Sequence, residues 1–158
     1  MGWARFRRLV VPAALLMAMP LAADDKEDLK KVLERFDAAY QARDADAIAQ
    51  LIAPDADVSF LMPDVGSRWV GLAAIKAGLR AEFSRFKAVR IEAQAPALHV
   101  RGSIAWFERV LVMNLTLSEG EASILARSTG VLEKRGASWL LVQQHLSVGG
   151  QRDSGPRD

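Results

Sequence analysis

Trp139-Leu140-Leu141-Val142-Gln143-Gln144-His145-Leu146-Ser147 is the stretch whose reading decides the fold. It is rich in strand-forming residues, follows the glycine turn Arg135-Gly136, and ends a long run of similar segments. Working back from it, residues 138–148, 121–135, 103–117, 97–101 and 88–95 all read as strands, broken at Arg135-Gly136, Ser118-Glu119-Gly120, Arg101-Gly102 and Pro96. Glycine turns between consecutive strands predict antiparallel hairpins. Strict alternation on the last strand divides it into Trp139, Leu141, Gln143, His145 and Ser147 on one face and Leu140, Val142, Gln144, Leu146 and Val148 on the other. The second set is the more apolar, so it is expected to pack inward, turning His145 outward.

Upstream of the strands the period changes from two to that of a helix. Leu29, Val32, Leu33, Phe36, Ala39 and Tyr40 mark an amphipathic helix over residues 25–42, with Asp24, Asp25, Glu27 and Asp28 favouring its positive end as a charged cap rather than a metal site. Asp44 caps a second, short helix carrying Ile48, Leu51 and Ile52, which Pro54 prevents from continuing. Val58, Phe60 and Met62 alternate as a lone early strand before the turn Pro63-Asp64-Val65-Gly66. Leu72, Ile75, Leu79, Phe83 and Phe86 then mark a third helix beginning near Gly71. Helices in the first half and a long antiparallel sheet in the second give an α+β domain.

The first 23 residues differ in composition from everything after them. Arg5, Arg7 and Arg8 form a basic head, and Leu9 to Ala22 form an uncharged apolar run that is interrupted by Pro12 and Pro20. That pattern predicts a signal segment, residues 1–23, cut after Ala23, and hence an exported protein, periplasmic or secreted; the alternative is an uncleaved anchor. No stable membrane span is expected once the signal is removed. Without the head's three arginines, 18 of the 21 basic residues remain against 19 acidic ones, so the mature chain sits near −1. A nucleic-acid partner is therefore not expected. The 135 residues from 24 onward suffice for one domain, read as 24–148 with a disordered polar tail at 149–158. With no cysteine, stability must come from core packing, alone or together with a partner subunit. Asn114-Leu115-Thr116 is a formal glycosylation sequon, but it falls within a predicted strand.

The order and spacing of several local patterns resemble the SnoaL-like branch of the nuclear transport factor 2-like superfamily. They are Asp44-Ala45-Asp46-Ala47-Ile48 with Leu51 to Val58, Trp69-Val70-Gly71 with Ile75, and Arg127-Ser128-Thr129-Gly130-Val131-Leu132 with Trp139 and His145-Leu146-Ser147. The ending is also similar to that of the association domain of calcium/calmodulin-dependent kinases. The resemblance covers residues 26–148 and implies a cone in which three helices pack on a strongly curved antiparallel sheet. It further implies a homodimer through that sheet, and a pocket at the cone's mouth for a small organic molecule. Phe36, Tyr40, Phe60, Trp69, Trp106 and Arg127 are the candidate ligand-binding residues, Arg127 as a bidentate anchor for a carboxylate or as one half of an ion pair with Glu108.

No complete catalytic set is legible. The ketosteroid isomerase pattern puts a tyrosine on the first helix and a base carboxylate on the first strand, but alignment places Phe36 and Phe60 there, and neither can exchange a proton. An epoxide hydrolase pattern would need two carboxylates about an interior arginine, with Arg127, Glu108, Glu121 and Glu133 available. A dehydratase, isomerase or cyclase would use His145 as general base. Two distant histidines without cysteine give no metal spacing, and neither a phosphate loop nor a nucleophile elbow is present. No cofactor is expected. The sequence therefore points to ligand binding more than to catalysis, with a protein-interaction module using the outer sheet face as a further alternative.

Overall fold

A computed structural model describes residues 22–64 and 66–149. Residues 1–21 of the expected signal and the tail from residue 150 lie outside the described residues. The element order is α1 (Ala22–Gln41), α2 (Ala45–Ala49), β1 (Ser59–Leu61), β2 (Arg68–Val70), α3 (Leu72–Phe83), β3 (Ala88–Ala93), β4 (Ala97–Arg101), β5 (Ile104–Thr116), β6 (Glu121–Arg135) and β7 (Ser138–Val148). The helices pack on one face of a curled, open sheet ordered β2-β1-β7-β6-β5-β3, with β4 sharing β5's outer edge. No helix among the described residues is long and apolar enough to cross a membrane.

Each boundary has a local cause. Asp44 accepts hydrogen bonds from the backbone N–H groups of Asp46 and Ala47 at 3.0 and 2.9 Å, satisfying two free donors at the start of α2. Gly71 opens α3 at φ 83°, a conformation that side chains resist. The α2 helix ends earlier than its apolar spacing suggests. Beyond it the chain extends, and Leu51 and Ala53 exchange backbone hydrogen bonds with Leu141.

Two features correct the expected sheet. First, it is mixed: β1 runs parallel to β7, with Phe60 opposite Gln144 and Leu61 opposite His145. No hairpin joins these strands, so no tight turn dictates antiparallel pairing. Second, β7 does not alternate strictly. Val131 faces Gln143 while Leu132 faces Leu141, so Val142 is the extra residue of a bulge. The bulge shifts facing by one residue, placing Trp139 and Leu141 in the core together with Gln144 and Leu146. His145 lies exposed on the outer face.

Asp25 does more than complement the helix dipole. Its buried carboxylate accepts from Lys134 Nζ and from Trp139 Nε1, tying the start of α1 to the β6–β7 hairpin. The core then fills the space between layers with Phe36, Ile48, Phe60, Ile75, Leu79, Phe107, Leu132 and Leu141, all buried.

Candidate functional site

At the β5–β6 turn end of the cone, helix and sheet diverge around a cavity of about 510 Å³. The sheet wall is set by alternation: Met113 and Leu115 point inward from β5, Ala122 and Ile124 from β6, and Leu146 from β7. Gly78, Ala81 and Glu82 of α3 form the opposite wall, and Met62, Asp64, Ser67 and Arg85 stand at the rim. Trp69 closes one side. Its indole lies so near α3 that a Cβ at position 78 would fall 2.3 Å from the ring, which is why this turn of the helix carries glycine.

Glu82 is the polar element of the helix wall. Tyr40, buried on α1 and edge-on to Phe83 at 4.9 Å, donates its hydroxyl to Glu82 Oε1 at 2.8 Å. Glu82 Oε2 is enclosed without a hydrogen-bond partner. Burial raises the carboxyl's pKa above its ordinary value, opposed by the Tyr40 hydrogen bond and the positive charge of Arg85, and reinforced by Asp64. Burial and the neighbouring carboxyl push the Tyr40 hydroxyl far above its normal range, so it remains a donor. Sequence reasoning missed Glu82, although a signal was present: it sits three residues after Leu79 and four before Phe86, on the apolar stripe of α3.

Deeper in the cone is a second polar group. Arg109 of β5, 4% exposed, grips Asp37 of α1 with two hydrogen bonds of 2.7 Å each, and its guanidinium lies 5.7 Å from the Phe107 ring. Ser128 is directly across the ladder from Arg109, and Gln144 lies on the next strand; Ser128 Oγ, Gln144 Oε1 and Arg109 Nε are buried without partners. The interior arginine is thus Arg109 and not Arg127. It holds a single carboxylate, since Glu108, Glu121 and Glu133 project from the opposite face of the sheet.

The candidate residues are only partly brought together. Trp69 lines the cavity and Tyr40 supports its Glu82 wall. Phe36 and Phe60 pack against one another in the core beneath, ring centroids 6.2 Å apart. Trp106, Arg127 and His145 lie on the outer face. Alternation of β5 buries Ala105 and Phe107 and turns Trp106 out, where it stacks on His99 at 5.1 Å. Arg127 is exposed and has no ion pair among the described residues. Among the described residues no cluster of His, Asp or Glu side chains could hold a metal ion.

A family model described as a SnoaL-like domain matches residues 29–150. No curated protein matches the chain. Among solved structures, a nuclear transport factor 2-like superfamily protein from Salmonella enterica serovar Typhimurium superposes with a TM-score of 0.77 at 19% identity, covering 87% of this chain and 100% of that one. A dehydratase candidate of the same superfamily from Streptomyces avermitilis gives 0.75 at 16% identity, over 82% and 99% of the two chains. A protein of unknown function from Pseudomonas putida, again of this superfamily, gives 0.73 at 16% identity, over 88% and 96%. At these identities the likeness is one of fold.

Proposed function

The chain belongs to the SnoaL-like domain family, and from that premise we propose that it is an exported domain that binds a small, mainly apolar organic molecule in the mouth of its cone. The observation that carries this reading is the 510 Å³ cavity, within the size range of ligand sites and walled by Met113, Leu115, Ile124, Leu146 and Trp69 around a single enclosed carboxyl. Binding rather than turnover is favoured by the placement of the groups that an enzyme of the dehydratase or cyclase type would use. His145 and Arg127 are on the other side of the sheet from the cavity, and the interior arginine is neutralised by Asp37.

Export is supported by the basic head and apolar run of the first 23 residues. Pairing with a second copy through the outer sheet face is supported by the apolar side chains it presents, Leu125 at 63% and Trp106 at 39% exposure. A thermal-shift panel of small acids, terpenoids and aromatic metabolites tests the central reading. Stabilisation by neutral apolar members is the expected result; a panel in which nothing raises the melting temperature refutes it.

A further inference from the structure

Three charged side chains line the cavity among the described residues, and they are not equivalent. Asp64 and Arg85 are exposed at the rim, where water satisfies them. Glu82 is drawn into the wall, half-buried, with its two oxygens in different surroundings. Tyr40 is held by Phe36 and Phe83 and donates to Oε1, which fixes that oxygen as an acceptor. Any proton on the carboxyl therefore resides on Oε2, for which the protein supplies no partner.

We propose that Glu82 is the polar anchor of the cavity, and that the occupant is an uncharged, mainly apolar molecule whose carbonyl oxygen accepts a hydrogen bond from the Glu82 carboxylic acid. This rests on the ligand-binding reading above and names the chemistry of that ligand. The terminal torsion of glutamate is soft, so the carboxyl group, which lines the cavity, can reorient without a new rotamer.

Burial favours the neutral form of Glu82 over the pull of its neighbours. From α1 it meets Tyr40; from the loop after β1, Asp64; and just beyond α3, Arg85. On α2, Asp46 is already paired with Lys76 and Arg80 of α3, and Arg43 is committed to the Phe86 carbonyl. The sheet wall presents Met113, Leu115, Ile124 and Leu146, with no titratable group. A carboxylate here would be poorly solvated, favoured only by the Tyr40 hydrogen bond and by exposed Arg85, with Asp64 opposing. A carboxylic acid needs only one acceptor, and a ketone or ester brings one.

The test uses the full chain and three probes of one shape: 2-adamantanone, adamantane and 2-adamantylamine. Dissociation constants are measured by competition across a pH series spanning the carboxylate range. In the acidic part of the series the ketone should bind about tenfold tighter than the hydrocarbon, the worth of one enclosed hydrogen bond, and the preference should fade as pH rises through the Glu82 titration. Glu82→Gln should keep the preference at every pH, because its amide donates and does not titrate. Glu82→Leu should lose it at every pH while still binding adamantane. Tightest binding of the amine, a preference that survives in Glu82→Leu, or an unchanged pH profile in Glu82→Gln would each overturn the proposal. Should Glu82→Leu not fold, the profile of Glu82→Gln decides. Failure of all three probes to bind the native chain would instead remove the cavity reading, and this inference with it.

Discussion

The Asp37–Arg109 pair joins the helix layer to the middle of the sheet, and its two halves are unequally buried, which gives an asymmetric prediction. Arg109 is 4% exposed and Asp37 17%. Replacing Asp37 with Leu strands a guanidinium that water cannot reach, the situation in which breaking a buried pair costs about 3–5 kcal/mol. Replacing Arg109 with Met strands a carboxylate at the cone's edge, which can turn toward solvent, so the cost should be nearer about 1–2 kcal/mol. The double variant removes both charges and fills the site with apolar groups, and should come within about 1 kcal/mol of the native protein. The coupling between the sites is then about 3–7 kcal/mol, a large share of a domain's total stability of about 5–15 kcal/mol. Urea denaturation of the four proteins, followed by tryptophan fluorescence, measures it through the midpoints at constant slope. Additive effects, or a cost below about 1 kcal/mol for Asp37→Leu, would refute the view of this pair as a buried strut.

Four further outcomes follow from close contacts and from titration. Gly130→Ala places a Cβ 2.6 Å from the Phe107 ring and 2.8 Å from the Gln143 carbonyl, and should cost about 1–3 kcal/mol in urea denaturation, since backbone on one side and core on the other leave little room to relax. Gly78→Ala should displace Trp69, seen as a shift in tryptophan emission together with weaker binding of apolar probes, because the same indole closes the cavity. Glu82 has its folded pKa raised, so its contribution to stability is fully present below the unfolded value near pH 4.5 and is lost as pH rises through the folded pKa. Relative to Glu82→Gln, the native chain should therefore lose stability across that window. Tyr40→Phe, which removes a hydrogen bond that favours the carboxylate, should move the window upward; a downward move would contradict the assigned donor direction.

Much of the architecture is legible in the sequence because its punctuation is strong. Gly102, Gly120 and Gly136 adopt φ of 61°, 141° and 61°, and they bound the three longest strands within one or two residues of the positions their turns suggest. What escapes sequence reading depends on contacts distant along the chain. The β2 strand is three residues long, too short to show a period, and is recognisable only beside β1. The parallel direction of β1 is set by its pairing with β7, more than eighty residues away, and no local signal encodes it. The bulge at Val142 arises from register with β6 and reassigns half of β7. The site was more legible than the aromatic candidates implied. Arg109 interrupts an otherwise apolar inward row, Ala105, Phe107, Leu111, Met113 and Leu115, and the same row turns Trp106 out; Glu82 interrupts the stripe of α3 in the same way. A charge on an apolar periodicity was the better guide, because burying it requires a partner or a purpose.

The distribution of those partners explains why the cavity lies where it does. Across the layer interface, acids belong to the helical part and bases to the sheet: Asp25 of α1 with Lys134 of β6, and Asp37 of α1 with Arg109 of β5. Both clasps lie at the β6–β7 hairpin end or the middle of the cone. Lys134 and Asp25 carry the closed end still further by packing on Trp139. Among the described residues, Glu82 is a half-buried acid of the helix layer that meets no base of the sheet. Facing it are Met113, Leu115, Ile124 and Leu146, so at that end no ion pair draws the layers together and they stay apart. The opening and the unpaired carboxyl are then one feature. Adding a base opposite Glu82, as in Ile124→Lys, should pull the wall inward, lower the Glu82 pKa and abolish binding of neutral apolar probes, whereas the same lysine at the outward position Leu125 should leave binding intact.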